Sequence, residues 1–185
     1  MAERTPEPGI DVFPGQPSGG DFALQKGLYT KEEKQRRDAS PWTLVQGVLA
    51  PLQFVVFLVS TALVWRYFAT GEGAFAATAS VVIKTLVLYT IMITGSIWER
   101  DVFGQYLFAR PFFWEDVVSM GVLALHTAYL VSVVFGLLDV SQQLALALVA
   151  YLAYVVNAAQ FLWKFRLARL QSTPEIDGIE AVAES

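Results

Sequence analysis

Leu144-Ala-Leu-Ala-Leu-Val-Ala-Tyr-Leu-Ala-Tyr-Val-Val156 is a stretch that offers water almost nothing on any side. Its alanines and leucines favour helix, and over more than three turns it carries no charged or amide side chain. A helix at the surface of a soluble bundle keeps one polar face; this one has none. Residues 55–64, Val-Val-Phe-Leu-Val-Ser-Thr-Ala-Leu-Val, repeat the pattern. Around these two lie four apolar runs, at about residues 42–67, 74–97, 112–138 and 144–167. Each reaches the roughly 20 apolar residues that cross a hydrocarbon core about 30 Å thick. The expected fold is all-α: a polytopic membrane protein with four transmembrane helices in an antiparallel bundle.

Composition agrees and excludes much else. The 185 residues are 55% apolar and 16% charged, against about 45–50% and 25% in average usage, and the mean hydropathy is +0.46. Residues 1–41 hold only 11 apolar residues but five of the eight prolines and five of the 13 glycines. They contain no apolar run of the signal-peptide kind, so the excess lies in the remainder. A net charge of −4 argues against a nucleic-acid partner. With no cysteine, disulfides, cysteine–zinc sites, iron–sulfur clusters and thiol nucleophiles are excluded. A single histidine excludes a multi-histidine metal site and argues against a Ser–His–Asp triad.

The polar parts organise around the spans. Residues 1–27 read as a disordered leader, and 170–185 as a mobile tail. Thr30-Lys-Glu-Glu33 reads as a capping box that opens a short amphipathic juxtamembrane helix within residues 28–41. The transmembrane domain then occupies residues 42–169. Thr70-Gly-Glu-Gly73 and the stretch around Asp139 are tight turns, whereas residues 99–111 form a longer amphipathic connection. Lys26, Lys31, Lys34, Arg36, Arg37, Arg100, Arg110, Lys164, Arg166 and Arg169 fall on one side, with only Arg66 on the other. By the positive-inside rule both termini are expected in the cytoplasm, with multi-pass insertion and membrane lipid as a partner. The five tryptophans, Trp42, Trp65, Trp98, Trp114 and Trp163, all sit at span borders, as an aromatic belt should.

Polar groups inside such spans are expensive, so they are the candidates for function. Gln46, Gln53 and Ser60 recur every seven residues on the first span, with Pro51 expected to kink it. Lys84 lies near the centre of the second, followed by Thr85, Tyr89, Ser96 and Glu99 at helical spacing. Glu115, Ser119, Val122 and His126 form one stripe of the third, beside Asp116. The fourth carries Asn157, Gln160 and Lys164 on one face. Lys84, His126, Gln53 and Asn157 are expected at similar depth, with Glu99, Glu115 and Asp116 as an acidic group near the cytoplasmic edge. Plainer readings stand beside these. The amides suit plain interhelical hydrogen bonds, and Glu115 and Asp116 suit the first turn of any helix.

Several strings also resemble a known family. They are Leu28-Tyr-Thr with its charged run, Trp42-Thr-Leu-Val-Gln-Gly-Val-Leu-Ala-Pro-Leu-Gln-Phe54, Thr70-Gly-Glu-Gly73, Val82-Ile-Lys-Thr-Leu-Val-Leu-Tyr-Thr-Ile-Met92, Gly95-Ser-Ile-Trp-Glu99, Phe112-Phe-Trp-Glu-Asp-Val-Val-Ser-Met120 and Leu125-His-Thr-Ala-Tyr129. Over about residues 28–169 the chain resembles the vinyl bacteriochlorophyllide hydratases. The resemblance implies addition of water across the C3 vinyl group of a chlorophyllide-type magnesium macrocycle, to give the 3-(1-hydroxyethyl) pigment of bacteriochlorophyll a synthesis. It implies no redox cofactor and no protein-bound metal.

The reaction then needs an acid, a base and a pigment-binding surface. Glu115 or Glu99 is the expected acid, and Asp116 or the other carboxylate the group that orients or deprotonates water. His126 is a candidate acid or axial ligand to the substrate magnesium. Lys84 is a candidate partner for the propionate, with Gln53, Tyr89, Asn157 and Gln160 as substrate-binding residues. Other enzymes of bacteriochlorophyll synthesis are expected partners. The rival reading is a non-enzymatic pigment-binding or assembly protein, and a small transporter or proton-relay subunit ranks last.

Overall fold

The computed structural model describes residues 28–172, and every regular element among them is an α-helix. In order these are α1 Lys31–Ala39, α2 Pro41–Thr70, α3 Ala74–Phe103, α4 Phe113–Phe135 and α5 Val140–Ser172. The last four are long and apolar enough to cross a membrane. Their side chains are distributed inside out: Phe75, Val134 and Leu152 are 86%, 74% and 69% exposed, while Lys84, His126, Asp116 and Gln53 are buried. Lipid as the outer solvent selects that arrangement, and the chain is a polytopic membrane protein. The leader expected over 1–27 lies outside the described residues. So does the expected tail from residue 173 onward; its first three residues, 170–172, close α5 instead.

Local chemistry sets the helix ends. The Glu33 N–H donates to Thr30 Oγ1 at 3.2 Å, and the Thr30 N–H donates to Glu33 Oε2 at 2.8 Å, which is the expected capping box. Pro41 takes the first position of α2, where its missing N–H is not needed. The helix passes through Pro51 as one element. It stops where Gly71, at φ 73°, turns its N–H onto the Tyr67 carbonyl. Helix α3 runs past the expected end at residue 97, because Trp98 and the buried Glu99 and Val102 still pack inward. Helix α4 stops at Phe135 rather than 138, since Gly136 is left-handed at φ 60°. Helix α5 begins at Val140, earlier than expected, because Asp139 and Gln142 exchange backbone-to-side-chain bonds of 2.9 and 3.1 Å.

Helix α2 packs along α3, and α4 along α5, so the bundle is two helical hairpins with sparser contact between them. Gln46 Nε2 donates to Thr94 Oγ1 at 2.8 Å and Ser60 meets Ser80 at 2.8 Å, which fixes the α2–α3 register. Where the hairpins meet, Val64, Val81, Leu88, Val122, Tyr129, Leu144 and Ala147 form the apolar core. Lys84, His126, Glu99, Glu115 and Asp116 lie on the helices that meet at this seam, in two layers.

Candidate functional site

The first layer lies mid-bundle. Lys84 Nζ is 2.9 Å from His126 Nε2, and His126 Nδ1 is 2.8 Å from the Val122 carbonyl. The carbonyl fixes the ring proton on Nδ1, so Nε2 accepts from the lysine. The Lys84 ammonium also lies 4.1 Å from the Tyr154 ring centroid and 5.4 Å from that of Tyr151. Tyr151 in turn shares its hydroxyl with Ser60. Both Lys84 and His126 are fully buried. Lys84 thus pairs with a histidine and two aromatic faces, and both ring nitrogens of His126 are engaged.

The second layer lies at the other end of α4, ten residues and so about 15 Å along the helix from His126. Glu115 and Asp116 occupy the first turn of α4, where the helix dipole favours them. Asp116 Oδ2 accepts from the Phe108 N–H at 2.7 Å, and Glu99 Oε2 from the Ala109 N–H at 3.2 Å. The two carboxyls also face each other within hydrogen-bond reach. They are only 5% and 4% exposed. Their anchoring of consecutive backbone amides holds Phe108 at φ 60°, a conformation that residues with a Cβ adopt reluctantly.

Glu115 points to a different partner. Its Oε2 is 2.6 Å from Lys164 Nζ, and the same ammonium donates to the Pro111 carbonyl. Glu115, Gln160 and Lys164, with Val156, Ala159 and Trp163, line an open groove of about 530 Å³ whose walls are mainly apolar. Above Glu115 on α4, Ser119 Oγ accepts from Asn157 Nδ2 at 2.8 Å. The three acidic residues thus stand together as expected, but divided: Glu99 with Asp116, and Glu115 with Lys164. Tyr89 does not join them. Its hydroxyl meets Thr127 at 2.8 Å on the outer edge of the bundle, because five residues from Lys84 is well over a quarter turn off that stripe. The sequence reading passed over the amides of Phe108 and Ala109, which no side-chain pattern marks. It noted Lys164 without a role, although the Asn157, Gln160 and Lys164 stripe pointed toward Glu115.

Around the long connection an aromatic cluster closes the end of the bundle. Tyr29 stacks on Phe103 with centroids 5.8 Å apart, and Trp98 packs edge-on to both Phe103 and Phe112. Arg37 lies 4.8 Å from the Tyr29 ring centroid. Burial pushes the Tyr29 hydroxyl up to about 12. The cluster ties α1 to the same end as the carboxyl pair.

Fold and site together define a polytopic membrane protein with a buried carboxyl pair at one end of its bundle and an apolar groove nearby. The chain belongs to the 2-vinyl bacteriochlorophyllide hydratase family, whose profile matches residues 29–167. It is 63% identical over 162 residues to the 2-vinyl bacteriochlorophyllide hydratase of Rhodobacter capsulatus, covering 88% of this chain and 94% of that protein. Over 148 residues it is 63% identical to the protein of the same name from Cereibacter sphaeroides, covering 80% and 92%. No solved structure matches the chain.

Proposed function

We propose that the chain is a membrane hydratase that adds water across the C3 vinyl group of a chlorophyllide- or bacteriochlorophyllide-type macrocycle, leaving a 3-(1-hydroxyethyl) group. The observation that carries the catalytic assignment is the buried Glu99–Asp116 pair, whose carboxyls face each other; on this reading they hold one proton between them. The pair donates that proton to the terminal vinyl carbon, and the π electrons form the new C–H bond. Positive charge then falls on the adjacent carbon, where the conjugated ring spreads it. A water lone pair closes the C–O bond there, and the surplus water proton returns to a carboxylate, so the site is restored without any oxidant or reductant. Glu115, ion-paired with Lys164 at the groove, takes that proton first and passes it back to its neighbour Asp116, which completes the cycle.

A flat apolar macrocycle suits a groove that opens toward lipid and has a few polar groups. On this reading the pigment arrives through the bilayer and lies against Val156, Ala159 and Trp163, with Gln160 as a polar contact. The Lys84–His126 layer supports the bundle. The positive-inside count supports cytoplasmic termini, which would put the carboxyl pair at the cytoplasmic edge of a bacterial inner membrane. Other enzymes of bacteriochlorophyll synthesis then supply the vinyl pigment and take up the product. The test is incubation of the purified full-length protein with the 3-vinyl pigment. Gain of one water by mass spectrometry, lost in Asp116→Asn, supports the proposal; tight pigment binding without conversion would instead mark a pigment carrier.

A further inference from the structure

Between the two layers, three amide oxygens have no protein donor: Gln53 Oε1, Asn157 Oδ1 and Gln160 Oε1. Gln53 and Asn157 are only 3% and 8% exposed. Buried acceptors are normally satisfied, because an unpaired one forfeits its hydration. Other interior amides here obey that rule: Gln46 reaches Thr94, and Gln143 reaches the carbonyls of Ser132 and Leu138. Helix register brings two of these oxygens, those of Gln53 and Asn157, to one level of the bundle. Helices α2 and α5 are antiparallel in a register set by Tyr67 with Ser141 at 3.1 Å and by Phe57 on Tyr154 with centroids 5.0 Å apart. One turn further along each helix, that register sets Gln53 opposite Asn157. The Asn157 Nδ2 bond to Ser119 fixes the amide so that its oxygen is the free end. Ser119 stands one turn from Glu115 and Asp116, and Gln160 shares the groove wall with Glu115.

We propose that Gln53 and Asn157, assisted by Gln160, hold the water molecule that is consumed in the reaction. The inference rests on the hydratase reading above and adds to it the residues that bind the second substrate. An amide oxygen accepts a hydrogen bond but is too weak a base to take the proton. A water that donates one O–H to Gln53 and the other to Asn157 keeps its lone pairs free. One of them forms the C–O bond to the cationic carbon, and the proton then released passes to the carboxylates one turn away. Holding water in that pose ahead of protonation shortens the life of the cation, which is the step most exposed to side reactions.

The test uses the full-length protein in lipid nanodiscs with 3-vinyl chlorophyllide as substrate. Gln53→Leu and Asn157→Leu are each expected to lower kcat by at least about tenfold while KM for the pigment stays within about twofold. Gln46→Leu, which removes an amide that already has its partner, keeps kcat. Infrared difference spectra in ordinary and oxygen-18 water should show an isotope-sensitive O–H stretch in the wild type that both leucine variants lose. A rise in KM at constant kcat would overturn the proposal, because the amides would then be holding the ring. Unchanged kinetics with an unchanged water band would overturn it too. If the wild type converts no pigment, the hydratase reading fails, and the water band alone then judges the site. Gln53→Met, which keeps the side chain's length, gives the same readings if leucine prevents folding.

Discussion

The two polar layers of this bundle solve the same problem in opposite ways. At mid-depth, Lys84 meets a histidine whose other nitrogen is already tied to the backbone, and two aromatic faces enclose its ammonium. Each group there has a partner. At the end of the bundle, the Glu99 and Asp116 carboxyls face each other, while Glu115 and Lys164 form an ion pair along the wall of a groove. Burial of an ionisable group in a membrane protein is thus no sufficient sign of chemistry. What separates the layers is the open, mainly apolar groove that Glu115 and Lys164 of the end layer line.

Substitutions that strike the end layer should have the largest effect. Asp116→Asn or Glu99→Gln removes the shared proton's acid–base cycle, and turnover should fall about 10²–10⁴-fold, as loss of a general acid does. Steady-state hydration rates check this, and wild-type rates in both variants would erase the contrast between layers. Lys164→Met comes next. It leaves Glu115 largely buried without its cation, and a cycle with Glu115→Gln should give a coupling of about 0.5–3 kcal/mol in unfolding free energy.

The mid layer should respond in stability more than in rate. His126→Leu strands the Lys84 ammonium and should lower stability by about 1–3 kcal/mol, the usual penalty for an unpaired buried polar group. Adding Lys84→Met removes the stranded donor, so the double variant should recover most of that loss and keep its turnover. A double variant that is stable but inactive would move the chemistry to mid-depth. The smallest effect belongs to Thr30→Ala, which removes one arm of the capping box. It should loosen α1 by about 1 kcal/mol, seen as faster amide hydrogen exchange over residues 31–35, with hydration unchanged.

Much of this was legible in the residues themselves. The Leu144–Val156 stretch and its counterparts gave four helices, because a long apolar run without a polar face admits one solution in lipid. The capping box at Thr30 was legible because its bonds are local. So was the gathering of Glu99, Glu115 and Asp116 at one end, since depth along a span follows from residue number. The boundaries were less so. Asp139 and Gln142 lengthened α5, and Gly136 shortened α4, through backbone bonds that hydropathy does not register.

Pairing was the part that could not be read. Sequence placed Lys84 deep in the membrane and offered the pigment's propionate as its partner. It gave no reason to prefer His126, since the choice depends on the register between helices from different hairpins. It grouped three acids, but which two carboxyls face each other depends on how the chain between Gly104 and Phe112 folds back onto them. What the sequence determined was the solvent, the number of spans and the depth of each polar group, all set by composition along one helix at a time. Which groups touch was decided only by the tertiary structure. A hydrogen bond tolerates errors of a fraction of an ångström, and positions that fine arise only when separate helices pack.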